Sequence, residues 1–194
     1  MSRPVRVHLL RHGAPDGPGR LLGRTDAGVT PAGIAACRVA ALDHGDGALH
    51  SSDLARALDC ARAIGGGRPV AVDPRWRELD FGDWDGCWPA ECDGPALERF
   101  HADPEACPPP GGERWSALCG RVAAALADLV RAGDTALVVT HGGAMRAALA
   151  VGCGLDARQV WTFDLPYAAR LSLDLWPGAT ADAPPMAQVV GLAA

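Results

Sequence analysis

Lysine and asparagine are missing from the chain, and all 18 of its basic residues are arginine. Without lysine there is no Walker phosphate loop, no Schiff base and no lysine-bound pyridoxal cofactor. No apolar run is long enough to span a bilayer. Arg3 and Arg6 near the N-terminus are not followed by an apolar signal core with a cleavage site, so a soluble, cytoplasmic protein without a membrane partner is expected. The net charge is −5 and no short window is strongly basic, which argues against nucleic acid as a ligand. The seven cysteines are odd in number and irregularly spaced, and read as reduced thiols. Cys87, Cys92, His101 and Cys107 match no standard zinc spacing. No cysteine has an arginine six positions later, so the loop of cysteine phosphatases is missing as well. The expectation is no metal and no cofactor.

What is present suits one α/β domain. With 194 residues, 48% of them hydrophobic, the chain can bury a sizeable core. Residues 5–10 read as a first strand. Thr30 caps a helix that Pro31 opens and that runs to about residue 42. A short strand at 48–52 leads into a helix at 53–64, stopped by three glycines. A third strand is expected at 70–72. Residues 74–112, rich in proline and acidic groups, read as loops and short helices, with a lid insert at about 84–110. A long amphipathic helix is expected at 113–132. The continuous apolar run 135–140 reads as a buried parallel strand, followed by a helix from 144 to about 151. Residues 169–175 and 187–192 suit an antiparallel edge pair. Alternating strands and helices predict a three-layer sandwich, with a mainly parallel central sheet flanked by helices.

Two core strands end alike, in Arg11-His12-Gly13 and in Thr140-His141-Gly142-Gly143. Ligands of open α/β sheets bind beyond the carboxyl ends of the strands. A charged Arg11 at the end of a buried strand is costly unless a counter-charge arrives. The glycines allow backbone to approach a ligand closely, and their amides suit an anion. Arg56, early in the helix after the second strand, adds a third basic group. Each piece alone has a plainer explanation as a turn or a solvated side chain. Three strand ends offering arginine, imidazole and amide donors together fit a phosphate.

In this order the residues resemble the histidine phosphatase superfamily, the phosphoglycerate-mutase-like proteins. The resemblance spans residues 7 to about 173. It rests on Arg11-His12-Gly13, on Gly23 with Thr25 and Asp26 before Thr30-Pro31-Ala32-Gly33, and on residues 51–61, 77–86, 109–113 and 138–143. It implies one domain over residues 1–194 and a phosphomonoesterase that uses no metal. His12 would be the nucleophile that takes the phosphoryl group. Arg11, Arg56 and His141 would hold the phosphoryl oxygens, and Glu78 would be the general acid. Gly13, Gly23, Thr25 and Gly142 complete the expected substrate-binding set. Phosphoryl transfer needs positioning and positive charge more than covalent machinery, which agrees with such a site.

Asp80, Asp83 and Asp85 lie near Glu78 and are rival acids. Asp83 and Asp85 also echo the paired aspartates of metal-dependent phosphatases, but Cys87 stands where that motif has Thr or Val. The family usually has Glu or Gln after the glycine, where this chain has Ala14, and often an asparagine in the loop that follows. The segments at 23–26, 109–114 and 163–173 are similar to those of α-ribazole phosphatases, which implies a small phosphorylated metabolite such as α-ribazole 5′-phosphate. A phosphoglycerate mutase and a non-catalytic phosphate-binding module stay open as alternatives. The chain would act as a monomer or homodimer.

Overall fold

The computed structural model describes residues 3–42, 44–180 and 183–194; residues 1, 2, 43, 181 and 182 lie outside it. Six strands form one sheet in the order β3-β2-β4-β1-β5-β6. β1 (Val5–Arg11), β4 (Ala136–Thr140), β2 (Ala48–Ser51) and β3 (Ala71–Val72) are parallel neighbours. β5 (Arg170–Trp176) and β6 (Met186–Ala193) continue the sheet antiparallel, as the sequence indicated.

Side chains alternate across a strand, so each central strand feeds two cores. Val5, Val7 and Leu9 of β1 and Ala136 and Val138 of β4 pack with helices α4 (Trp115–Ala132) and α5 (Gly142–Cys153). Leu10, Leu137 and Val139 point the other way, onto α1 (Pro31–Ala40) and α2 (Ala55–Gly65). β4 is buried along its whole length, which is why its sequence is an unbroken apolar run.

The helix starts follow local chemistry. The Thr30 hydroxyl accepts from Gly33 N–H, with Pro31 in the first turn. α2 has no cap of its own; Asp26 reaches across and accepts Ala55 N–H at 2.6 Å. Gly66 ends α2 in the left-handed region at φ 56°. Helix α3 (Gly94–Ala102) lies in the segment read as an insert and buries Phe100 against the α4–α5 core.

One boundary differs where it matters. The helix expected from residue 144 begins at Gly142, with His141 as its N-cap. Both glycines after His141 therefore belong to the first helical turn, and Arg146 follows Gly142 by one turn on the same face.

Candidate active site

β1 and β4 are adjacent and in register, Arg11 opposite Thr140, and His12 N–H donates to the Thr140 carbonyl at 2.9 Å. The next residues on each strand, His12 and His141, therefore stand side by side with ring centroids 5.0 Å apart. His12 Nδ1 lies 2.7 Å from the Gly13 carbonyl, which can only accept. The ring proton thus sits on Nδ1 and Nε2 keeps its lone pair. Burial first, then the Arg56 and Arg11 charges, lower the His12 pKa to about 3, so the imidazole is neutral at ordinary pH. His141 is fully buried and held well below the usual histidine range by burial, then by Arg56 and His12. Its Nε2 meets the Ser52 hydroxyl at 2.7 Å, while its buried Nδ1 has no protein partner.

Arg56 is fully buried and bonded to backbone: Nη1 donates to Thr25 O at 2.8 Å, and Nη2 to Leu22 O at 2.6 Å and Gly23 O at 3.2 Å. Gly23 and Thr25, expected to bind substrate, grip Arg56 with their carbonyls; like Gly13, Arg56 and His141 they stand behind the residues that line the cavity. Asp85 holds their loop, accepting the amides of Gly23, Arg24 and Thr25. Arg11 donates to Leu165 O at 2.5 Å and lies 4.3 Å over the Tyr167 ring. The Nε atoms of both arginines are buried without a hydrogen-bond partner. Buried donors left open around a neutral imidazole make a binding site for an anion.

Gly13 has a packing task. A Cβ there would overlap the backbone of Gly33, and one on Gly33 would overlap the backbone of Ala14. The two glycines let the turn after β1 lie directly on the start of α1. Cys60 Sγ accepts Gly13 N–H at 3.5 Å and Cys37 donates to Arg11 O at 3.7 Å, so the same turn is also supported from below.

Glu78 reaches the site from the segment after β3. Thr140 Oγ1 donates to Trp76 O at 2.7 Å, and the buried Trp76 ring anchors that segment in the core. Arg121 of α4 braces it, donating to the carbonyls of Arg75, Arg77 and Glu78 at 2.7–2.8 Å while paired with Glu113. The Glu78 carboxylate then sits over the start of α5. Oε1 accepts Gly143 N–H and Leu79 N–H, both at 2.8 Å, and Oε2 takes only the longer arm of the Gly143 bond at 3.1 Å. Two of the three rival acids are otherwise engaged. Asp80 pairs with Arg24 at 2.5 Å and accepts Gly82 N–H, and Asp85 is the loop cap described above. Neither Asp80, Asp83 nor Asp85 lines the cavity.

The cavity in front of His12 measures about 220 Å³ and is bordered by Arg11, His12, Glu78, Gly142 and Gly143. Beyond them its walls hold Arg20, Arg146, Phe81, Trp115, Trp161 and Tyr167, which sequence reasoning did not single out. Tyr167 packs against both Arg11 and His12, its ring 5.5 Å from the imidazole. Helical spacing from Gly142 would have pointed to Arg146, had the start of α5 been placed correctly. Among the described residues no three His, Cys, Asp or Glu groups are placed to hold a metal ion, and no helix is long and apolar enough to cross a membrane.

Residues 7–181 match the family model of the histidine phosphatase superfamily (branch 1). The chain is 33% identical over 172 residues to glucosyl-3-phosphoglycerate phosphatase of Mycolicibacterium vanbaalenii, covering 79% of this chain and 76% of the relative. Among solved structures it superposes on mycobacterial hydrolase 2 with a TM-score of 0.86 at 26% identity, covering 98% of this chain and 91% of the other. A candidate alpha-ribazole-5′-P phosphatase of Escherichia coli K-12 gives a TM-score of 0.78 at 26% identity, covering 96% and 95%. The chain belongs to the histidine phosphatase superfamily, and with it to the phosphoric monoester hydrolases.

Proposed function

We propose that the chain hydrolyses a small phosphomonoester through a phosphohistidine formed on His12. The observation that carries this is the neutral His12 imidazole, its proton fixed on Nδ1 by Gly13, beside the open N–H donors of Arg11 and Arg56 and the unpartnered ring nitrogen of His141. In the first step Nε2 attacks phosphorus and the P–O ester bond breaks. The electron pair stays on the leaving oxygen, which takes a proton from Glu78 Oε2. In the second step the Glu78 carboxylate accepts a proton from water, the oxygen attacks phosphorus, and the P–N bond breaks to return the electron pair to Nε2. Arg11 and Arg56 supply the positive charge on the phosphoryl oxygens, so the reaction needs no metal.

The segment from 84 to 110 acts as a lid that shapes substrate choice, a reading supported by Phe100, His101 and Pro104 in the cavity wall. All seven cysteines are free thiols, which suits a reducing cytoplasmic setting. The test is phosphate release from a panel of phosphorylated metabolites with chelator present, α-ribazole 5′-phosphate and 3-phosphoglycerate among them. Steady release in chelator, with no need for a bisphosphate primer, is expected. Activity that depends on an added divalent ion contradicts the metal-free route. Isomerisation of 3-phosphoglycerate that requires a primer would make the chain a mutase.

A further inference from the structure

The turn that leads into β5 is bonded to the end of β1. In the antiparallel register of these strands Leu10 stands opposite Arg170. The pairing continues beyond it: Arg11 N–H donates to Ala169 O at 2.9 Å, and Ala168 N–H donates to His12 O at 3.2 Å. The Arg11 side chain reaches the same turn, Nη1 donating to Leu165 O at 2.5 Å. Ala168 has φ 63° and is the single non-glycine residue with positive φ among the described residues. That conformation is costly for a residue with a Cβ, and it persists only where the surroundings over-determine it. The residue just before it, Tyr167, lies against the two side chains whose backbone the turn grips. The Arg11 guanidinium sits over the Tyr167 ring, 4.3 Å from its centre. The His12 imidazole lies 5.5 Å from the same ring, at a tilt of 43°.

An arginine that waits for a phosphoryl group has to stay in place while the site is empty, with its donors open. Leu165 O is the one hydrogen-bond acceptor of the Arg11 guanidinium among the described residues, and Nε is buried without a partner. A carboxylate partner would hold the charge but would take the donors that phosphate needs. An aromatic face attracts the cation through its quadrupole and covers only the plane of the guanidinium, so the N–H edges stay free. The same ring is a second restraint on the imidazole, whose Nδ1 is already held by Gly13 O at 2.7 Å. The Tyr167 hydroxyl is engaged elsewhere, accepting Gly19 N–H over a long 3.4 Å. A bond of that length is weak.

We infer that Tyr167 is a positioning residue for phosphoryl transfer: its ring holds the Arg11 guanidinium by the face, with the donor edges open to the phosphoryl oxygens, and steadies the His12 imidazole beside it. This deepens the phosphatase proposal and rests on it. The ring does the work and the hydroxyl has no part in it.

Phosphate binding tests it without turnover. Dissociation constants of inorganic phosphate are compared for the wild type, Tyr167→Leu, Tyr167→Phe, Arg11→Met and the Arg11→Met/Tyr167→Leu double variant, with thermal midpoints as the check on folding. Tyr167→Leu should weaken phosphate about tenfold, the scale of a desolvated cation–π contact. Tyr167→Phe, which restores the ring, should recover nearly all of that loss. In the Arg11→Met background Tyr167→Leu should cost less than about twofold, because the ring acts through Arg11. With nitrophenyl phosphate, kcat should fall in Tyr167→Leu and recover in Tyr167→Phe. Tyr167→Met takes the place of Tyr167→Leu in every comparison if the leucine variant does not fold. Equal losses in the phenylalanine and leucine variants would assign the effect to the hydroxyl and overturn the inference. So would undiminished phosphate binding in a folded Tyr167→Leu protein, or the same loss with and without Arg11. If no ester is turned over by the wild type, the phosphatase proposal fails, and the phosphate dissociation constants still decide the role of Tyr167.

Discussion

Gly143 has no side chain because the Glu78 carboxylate occupies its place: a Cβ on Gly143 would overlap Glu78 Oε1, which accepts the Gly143 amide at 2.8 Å. The obstructing atom is the far end of a flexible side chain. Gly143→Ala should therefore cost little stability and act by pushing Glu78 out of position. The expected result is a thermal midpoint close to wild type with kcat/KM on alkyl phosphates down by about a hundredfold, the scale of one general acid. Near-normal turnover in a folded Gly143→Ala protein would show that Glu78 need not sit where the structure puts it.

The assignment of Glu78 over Asp80 is tested by leaving group. Alkyl phosphates need a proton on the departing oxygen, whereas nitrophenyl phosphate needs it much less. Glu78→Gln is expected to lose alkyl turnover selectively. Asp80→Asn should keep the wild-type alkyl-to-aryl ratio, because Asp80 is taken up by Arg24 and Gly82. Selective loss of alkyl turnover in Asp80→Asn, with Glu78→Gln near normal, would reverse the assignment.

The strand ends were the most legible part of the chain. Arg11, His12 and His141 carry their meaning locally: polar groups at the end of apolar runs, brought together by one parallel register. The fold class followed from the alternation of periods, and the edge pair β5–β6 from its short alternating strands. What stayed hidden depends on contacts distant in sequence. That Gly13 is small for Gly33, and that Gly23 and Thr25 serve Arg56, follows only from how the loops pack. The brace from Arg121 to residues 75–78 spans more than 40 positions and leaves no pattern in either segment. Arg146 was missed for a local reason. Two glycines after His141 read as a turn, and that shifted the helix start by two residues.

The buried imidazole also fixes how stability responds to acid. The His12 pKa is about 3 in the folded chain, against about 6.5 when the ring is solvated. Between those values the unfolded chain holds a proton that the folded chain does not, so stability is complete above about pH 6.5 and falls as pH drops toward 3. Each such group adds about 1.4 kcal/mol per pH unit to the slope, and His141 acts in the same direction. In phosphate-free buffer, His12→Ala should therefore lose unfolding free energy less steeply between pH 6 and 4.5, by about one proton. Equal slopes for the two proteins would mean that His12 is protonated in the folded state.

The central claim is that the phosphoryl group passes through His12. Rapid mixing with a reactive ester, a quench in base, and intact mass followed by peptide mapping test it most directly, with Glu78→Gln used to slow breakdown of the intermediate. The expected result is one phosphoryl group per chain, labile to acid, on Nε2 of His12, and none on His12→Ala. Turnover by a folded His12→Ala protein, or a phosphoryl group found on His141 in place of His12, would contradict the account.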